Sequence, residues 1–226
     1  MNFETFGIIR IISIVSVLLP LSVFFIALYK KNLSYTVKVL GVLLIIAGLS
    51  DFLSAILYSA FKFKPNPIIS TYVLLQFITL SLIYKNSYTR RWNRIMTNLV
   101  CILFTIFAVI NFFFIQGVQG FNSYSFAISA VIFIIHALLF SYQLLLELPE
   151  RHIEKTYMFW VNSAVFFYFG TNLYLFATVD RLLSQQDTSQ FLLSWAMHNG
   201  SNTLKNIMFT VALLVTLLNE NQSKLK

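Results

Sequence analysis

Between Phe191 and Leu218 the chain carries an apolar stretch with a lysine, Lys205, near its middle. About 20 helical residues at 1.5 Å each cover the ~30 Å hydrocarbon core of a bilayer, so this stretch is long enough to span one. A cation near the bilayer centre costs at least ~2.5 kcal/mol on insertion scales. Lys205 is therefore expected to face the interior of a bundle that holds water, an acid or a ligand. His198, Asn202 and Lys205 recur at i, i+4 and i+7, and Asn199, Asn202 and Asn206 at i, i+3 and i+7, so five polar groups share one helical face. Met197, Leu204 and Met208 stand opposite, where lipid or protein can meet them. A helix of this kind requires other helices to cover it.

Composition agrees. With 58% apolar residues and only 11% charged, the chain lies far outside soluble domains, where about a quarter of residues are charged. It reads as an integral membrane protein, and its 226 residues give room for seven spans with short connections, so no appended extramembrane domain is expected. The net charge of +8 fits basic loops facing anionic lipid headgroups better than nucleic acid, which is not an expected partner. A single cysteine, Cys101, within an apolar span excludes an internal disulfide.

Seven spans are expected at about 6–29, 35–61, 68–84, 95–114, 124–146, 157–179 and 191–218, forming one all-α transmembrane domain over 1–226. The first exceeds a signal-peptide apolar core and lacks a small-x-small cleavage pattern, so it reads as a retained span, kinked at Pro20. The second contains Gly41 and Gly48, which permit close helix approach, and Asp51, the only acid well inside a span. The third is the shortest, is entered through Pro65 and Pro67, and carries Gln76. The fourth carries Asn98 and Asn111, and the fifth His136. A charged turn with Pro149 leads to the sixth, which is aromatic and holds Asn162, Tyr168, Gly170, Thr171 and Asn172.

Basic residues set the orientation. One set of alternate loops holds eleven: Lys30, Lys31, Lys38, Lys85, Arg90, Arg91, Arg94, Arg151, Lys155, Lys224 and Lys226. The other holds four: Arg10, Lys62, Lys64 and Arg181. The positive-inside rule then places the N-terminus outside and the C-terminus in the cytoplasm.

Depth along the spans puts Asp51, Gln76, His136, Asn172 and His198 near the middle or outer half, with Lys205 below His198. Facing inward, these groups with Asn199, Asn202 and Asn206 predict a polar, aromatic-lined pocket open to the outer side, suited to a small ligand or lipid. The duller readings are a structural Asp51–Lys205 pair, a His136 that only bonds a neighbouring helix, and asparagines acting as interhelical glue.

Particular chemistries place further demands on these residues. A retinal Schiff base suits a lysine on the last helix, but the third span offers no carboxylate counter-ion and Ser201 stands where microbial rhodopsins usually carry an acid. A haem needs two histidines at matched depth, and His136 and His198 differ. A zinc-dependent lipid hydrolase would draw its ligands from Asp51, His136 and His198, without the paired histidines four residues apart that such families show on the last helix. No nucleophile elbow, P-loop or paired-cysteine motif is present. Transport lacks a broken-helix pair or duplicated halves. Retinal, haem and zinc are the cofactors against which these residues can be set.

Three runs carry a resemblance: Phe159-Trp160-Val161-Asn162-Ser163, Gly170-Thr171-Asn172-Leu173-Tyr174-Leu175-Phe176, and His198-Asn199 followed by Asn202, Leu204, Lys205, Asn206, Ile207, Met208 and Phe209. Together they resemble small seven-helix membrane proteins of Bacteroidota-type bacteria, whose genes often neighbour sensor histidine kinases. The likeness covers about the last third of the chain and implies no catalytic residues. It implies a sensory or accessory role in the bacterial inner membrane, with a kinase or other membrane partner. The combined expectation is a sensory or accessory bundle that binds a small ligand or lipid in its outward-facing pocket. An intramembrane metal-dependent hydrolase, a rhodopsin-like protein and a small-solute transporter are the alternatives.

Overall fold

A computed structural model describes residues 3–30, 33–61, 65–147, 152–184 and 188–223. Lys31, Lys62, Lys64, Pro149, Arg151, Lys224 and Lys226, which enter the sequence reading above, lie outside the described residues.

All long elements are helices, and no strand occurs among the described residues. In order they are α1 (Phe3–Ser16), α2 (Leu18–Lys30), α3 (Tyr35–Phe61), α4 (Asn66–Ser87), α5 (Arg91–Ile110), α6 (Ser123–Glu147), α7 (Tyr157–Ser184) and α8 (Thr188–Ser223). A π-helical turn, Asn111–Ile115, extends α5, and a 3-10 turn, Ile153–Lys155, precedes α7.

α1 and α2 are one membrane-length run interrupted at Val17. Pro20 explains the break: it has no N–H to give, and its ring crowds the carbonyl four residues earlier, at Ser16. The next N–H, Leu21, bonds Val17 O at 3.3 Å and restarts the ladder. The third expected span, short by its apolar run, is an unbroken helix of 22 residues.

Six helical runs are long and apolar enough to cross a membrane: Glu4–Lys30, Tyr35–Tyr58, Asn66–Ser87, Arg91–Ile115, Ser123–Glu147 and Ser189–Leu218. The remaining long helix, α7, is diluted by Asn162, Thr171, Asn172 and several tyrosines. Side-chain exposure carries the same message. α5 turns Ile95, Leu99, Ile102, Leu103 and Ile106 outward, at helical spacing, and keeps Phe104 and Ala108 inside. A face of that composition would be unstable in water and is at home in hydrocarbon. The chain is an integral membrane protein.

Two kinds of contact hold the bundle. One is aromatic: Phe77 stacks on Phe104 with centroids 3.7 Å apart, touches Phe133 at 4.9 Å, and Phe133 stacks on Phe169 at 5.0 Å, tying α4, α5, α6 and α7 together. The other is close approach. The Phe24 ring of α2 lies directly against Gly41 of α3, in space that a Cβ at position 41 would occupy.

The α4–α5 turn is fastened by side chains. Arg94 Nε donates to Tyr88 O at 2.6 Å, Thr89 N donates to Gln143 Oε1 at 3.2 Å, Gln143 Nε2 donates to Ser87 O at 3.2 Å, and Thr89 Oγ1 donates to Glu147. Backbone groups left open at a helix end are thereby satisfied.

A buried lysine centre between α3, α4, α7 and α8

α7 and α8 run antiparallel, and α1 runs parallel to α8, so the polar face of α8 is divided between two neighbours. Toward α1, Asn202 Nδ2 donates to Ser13 Oγ at 2.9 Å and Asn206 Nδ2 to Ser16 Oγ at 2.7 Å. Toward α7, Asn172 Nδ2 donates to Ser201 Oγ at 2.6 Å and to Tyr168 O at 2.7 Å. Since the Asn172 amide nitrogen is committed there, its Oδ1 accepts from His198 Nδ1 at 2.9 Å, which puts that imidazole proton on Nδ1. Tyr168, Phe176 and Trp195 surround the His198 ring.

Lys205 sits where the two sets meet and is 5% exposed. Its Nζ donates to Asn202 Oδ1 at 2.6 Å and lies 4.5 Å from the centroid of the Tyr168 ring. A desolvated cation over an aromatic face gains about 2 kcal/mol, which offsets part of the burial cost. No carboxylate lies within 4.0 Å of Lys205 among the described residues. Asp51, half-buried on α3, is within electrostatic range of Lys205 and of Arg10 on α1. The alternative of a structural Asp51–Lys205 pair is not met by direct contact; an asparagine takes the hydrogen bond instead.

Lys205 lines a cavity of ≈ 10 Å³ whose other polar lining residues are Tyr72, Gln76, Tyr168 and Asn206. Gln76 Nε2 donates to Tyr72 Oη at 3.0 Å across its wall. That volume admits one water molecule. The open pocket expected from residue depth is, in this packing, a water-sized chamber. Farther along the same helices, Ser54 Oγ one turn beyond Asp51 and Trp195 Nε1 beside His198 are buried donors with no hydrogen-bond partner among the described residues.

The structure thus brings Asp51, Gln76, Asn202, Lys205 and Asn206 to one centre, and stacks Asn172 and His198 on the side where α8 begins. Asn199 is half-buried one residue on, its carbonyl accepting from Thr203 Oγ1 at 2.9 Å. Of the opposite face, Met197 and Leu204 are exposed while Met208 packs against the core.

His136 does not join them. Tyr88 Oη donates to His136 O at 3.1 Å and lies 3.0 Å from His136 Nδ1, and Tyr84, Tyr88 and Phe133 surround the ring. Depth alone placed it in the pocket, but its side of α6 faces the α4 end. The two histidines share no ring neighbour. Asp51, His136 and His198 form no group able to hold a metal among the described residues. Nor does the space beside Lys205 fit a retinal polyene in this packing.

Sequence reasoning missed Ser13, Ser16, Tyr72 and Ser201. The first two recur three apart in the first span, a spacing that marks one helix face but does not say which helix it meets.

No family model, curated protein or solved structure matches this chain. What fold and site define is a class: a polytopic helical-bundle membrane protein built around a buried, unpaired lysine.

Proposed function

We propose that the protein is a membrane sensory or accessory component in which the Lys205 centre takes up the anionic or acceptor group of a small ligand or lipid. The observation that carries this reading is a buried ammonium held by an uncharged acceptor, with a carboxylate in range yet not in contact. An ammonium has three donors, and Asn202 uses one. A group that supplies further acceptors stabilises whichever helix packing admits it, and that difference in affinity moves the equilibrium between packings. Opening is required because the resting chamber holds only one water. Movement of α7 against α8 would then be read by a partner, with a sensor kinase as the expected kind. The finer architecture belongs to the same reading: seven spans, counting α7, with the N-terminus outside and the C-terminus in the cytoplasm of a bacterial inner membrane. The count of basic residues in alternate loops supports that orientation.

The test is thermal unfolding of the purified full chain with short-chain carboxylates, phosphatidylglycerol or phosphatidylcholine, beside the Lys205→Met variant. Anionic additives are expected to raise Tm for the native chain and to lose that effect in Lys205→Met. An equal shift in both chains would defeat the reading.

A further inference from the structure

A second, larger cavity of ≈ 200 Å³ lies away from Lys205, between the start of α4, the end of α5 with its π-turn, and the start of α6. Its deeper wall is apolar, formed by Val73, Leu74, Ala108 and Val109. Phe113 also lines it and is 59% exposed, so the space reaches the membrane-facing surface. Its other end, nearer the membrane boundary, is polar and uncharged. There Asn122 Nδ2 donates to Ser70 Oγ at 2.6 Å, and Asn111 Nδ2 donates to Ser125 Oγ at 3.0 Å. Each serine oxygen accepts, and neither hydroxyl proton has an acceptor among the described residues. Behind the cavity wall Asn111 is fully buried; its Oδ1 is an acceptor without a partner among the described residues, a different deficit that a carbonyl does not meet.

We propose that this cavity binds the ester end of one acyl chain of a membrane lipid. An apolar cavity of about 150 Å³ takes up benzene, so this one holds a somewhat larger hydrocarbon body. The two free hydroxyl donors fit a carbonyl acceptor. No lysine or arginine lines the space, so a phosphate stays outside and the neutral ester is what enters. Chain and ester also match in order: hydrocarbon deep, carbonyl toward the surface, as in a bilayer. α5 packs along α4 and meets α6 only slightly, leaving the side entrance. The π-turn contributes by turning Phe112 and Phe113 onto the cavity while Asn111 faces inward. This site is independent of the Lys205 reading.

The experiment uses the full chain in phosphatidylcholine nanodiscs that include phosphatidylcholine with a diazirine on one ester-linked acyl chain. After illumination, labelled peptides are mapped. Label is expected on the segments 70–74 and 108–113, saturable by unlabelled ester lipid. A di-ether analogue, lacking both carbonyls, should compete about fivefold less well, the worth of one hydrogen bond. Ala108→Phe fills the space from one wall and Leu74→Phe from the other. Either, once folded, should abolish saturable labelling there and leave lipid-facing labelling elsewhere on α5. Uniform, unsaturable labelling along the helices would overturn the proposal, as would equal competition by ester and ether lipid. Failure of both filled variants to fold would overturn it too, because the space would then not be free to fill.

Discussion

The two histidines head two regions that differ in one respect. Around His136, between α4, α6 and α7, most polar groups are paired: Tyr84 Oη donates to Asn162 Oδ1 at 2.9 Å, and Asn162 Nδ2 donates to Ser141 Oγ at 2.9 Å and to Ala137 O at 3.2 Å, while Ser81 Oγ, three residues before Tyr84, is buried without a partner among the described residues. Tyr88 serves His136 in the same way. Around Lys205, between α3, α4, α7 and α8, only one of three ammonium donors has a hydrogen-bond acceptor, and the lysine lines a water-sized space. Both regions are buried polar clusters in a membrane bundle, where an unmatched group costs about 1–3 kcal/mol. The first meets most of that cost with protein partners and reads as architecture. The second retains it, and groups that could be satisfied by something else are what a binding or switching site requires.

If that contrast is correct, the largest loss of stability comes from the paired region. Asn162→Ala strands the fully buried Tyr84 hydroxyl and should destabilise by about 2–3 kcal/mol, measured by unfolding in one fixed detergent. An effect within error would remove the claim that this cluster is structural. Tyr88→Phe is expected to cost less, about 1–2 kcal/mol, because His136 O retains its helical hydrogen bond and only Nδ1 loses its partner. Nuclear magnetic resonance of the imidazole should report the change at Nδ1 directly.

Lys205→Met sharpens the comparison because its expected effect on stability is small. Replacing a buried charge with an apolar side chain of similar length is often neutral or stabilising, so unfolding should shift by no more than ~1 kcal/mol either way. A loss as large as that of Asn162→Ala would make Lys205 a structural member like the others. The smallest effect belongs to Ser13→Ala, about 0.6 kcal/mol, in line with interhelical hydrogen bonds in membranes; Asn202→Ala also removes the acceptor of Lys205 Nζ and should cost more. A double-mutant cycle of the two should return a coupling of about 0.6 kcal/mol; zero coupling would mean that α1 docks on α8 by packing alone.

The positions of the helices were readable because hydrocarbon leaves the backbone one economical solution per segment, and unbroken apolar runs mark it. The interruption at Pro20 was readable from the missing N–H, though it falls at Val17, where the clash with the preceding turn acts. The site was readable only in part. Lys205, Asn202, Asp51 and Gln76 stood out because each is costly in a membrane and must face inward. Which of them touch was not, since rotation about a helix axis moves a side chain between neighbours without altering its depth. That is why His136, near Gln76 in depth, belongs to a different cluster.

The amino-acid sequence by itself determined that the chain enters a membrane as helices, and that Lys205 cannot face lipid, because both follow from transfer costs that each residue carries alone. Only the tertiary structure decided that Asn202 rather than Asp51 takes the ammonium, that Ser13 and Ser16 meet the last helix, and that the slight contact between α5 and α6 leaves a cavity. Those outcomes depend on which faces oppose one another, a property of pairs of helices that no single segment encodes.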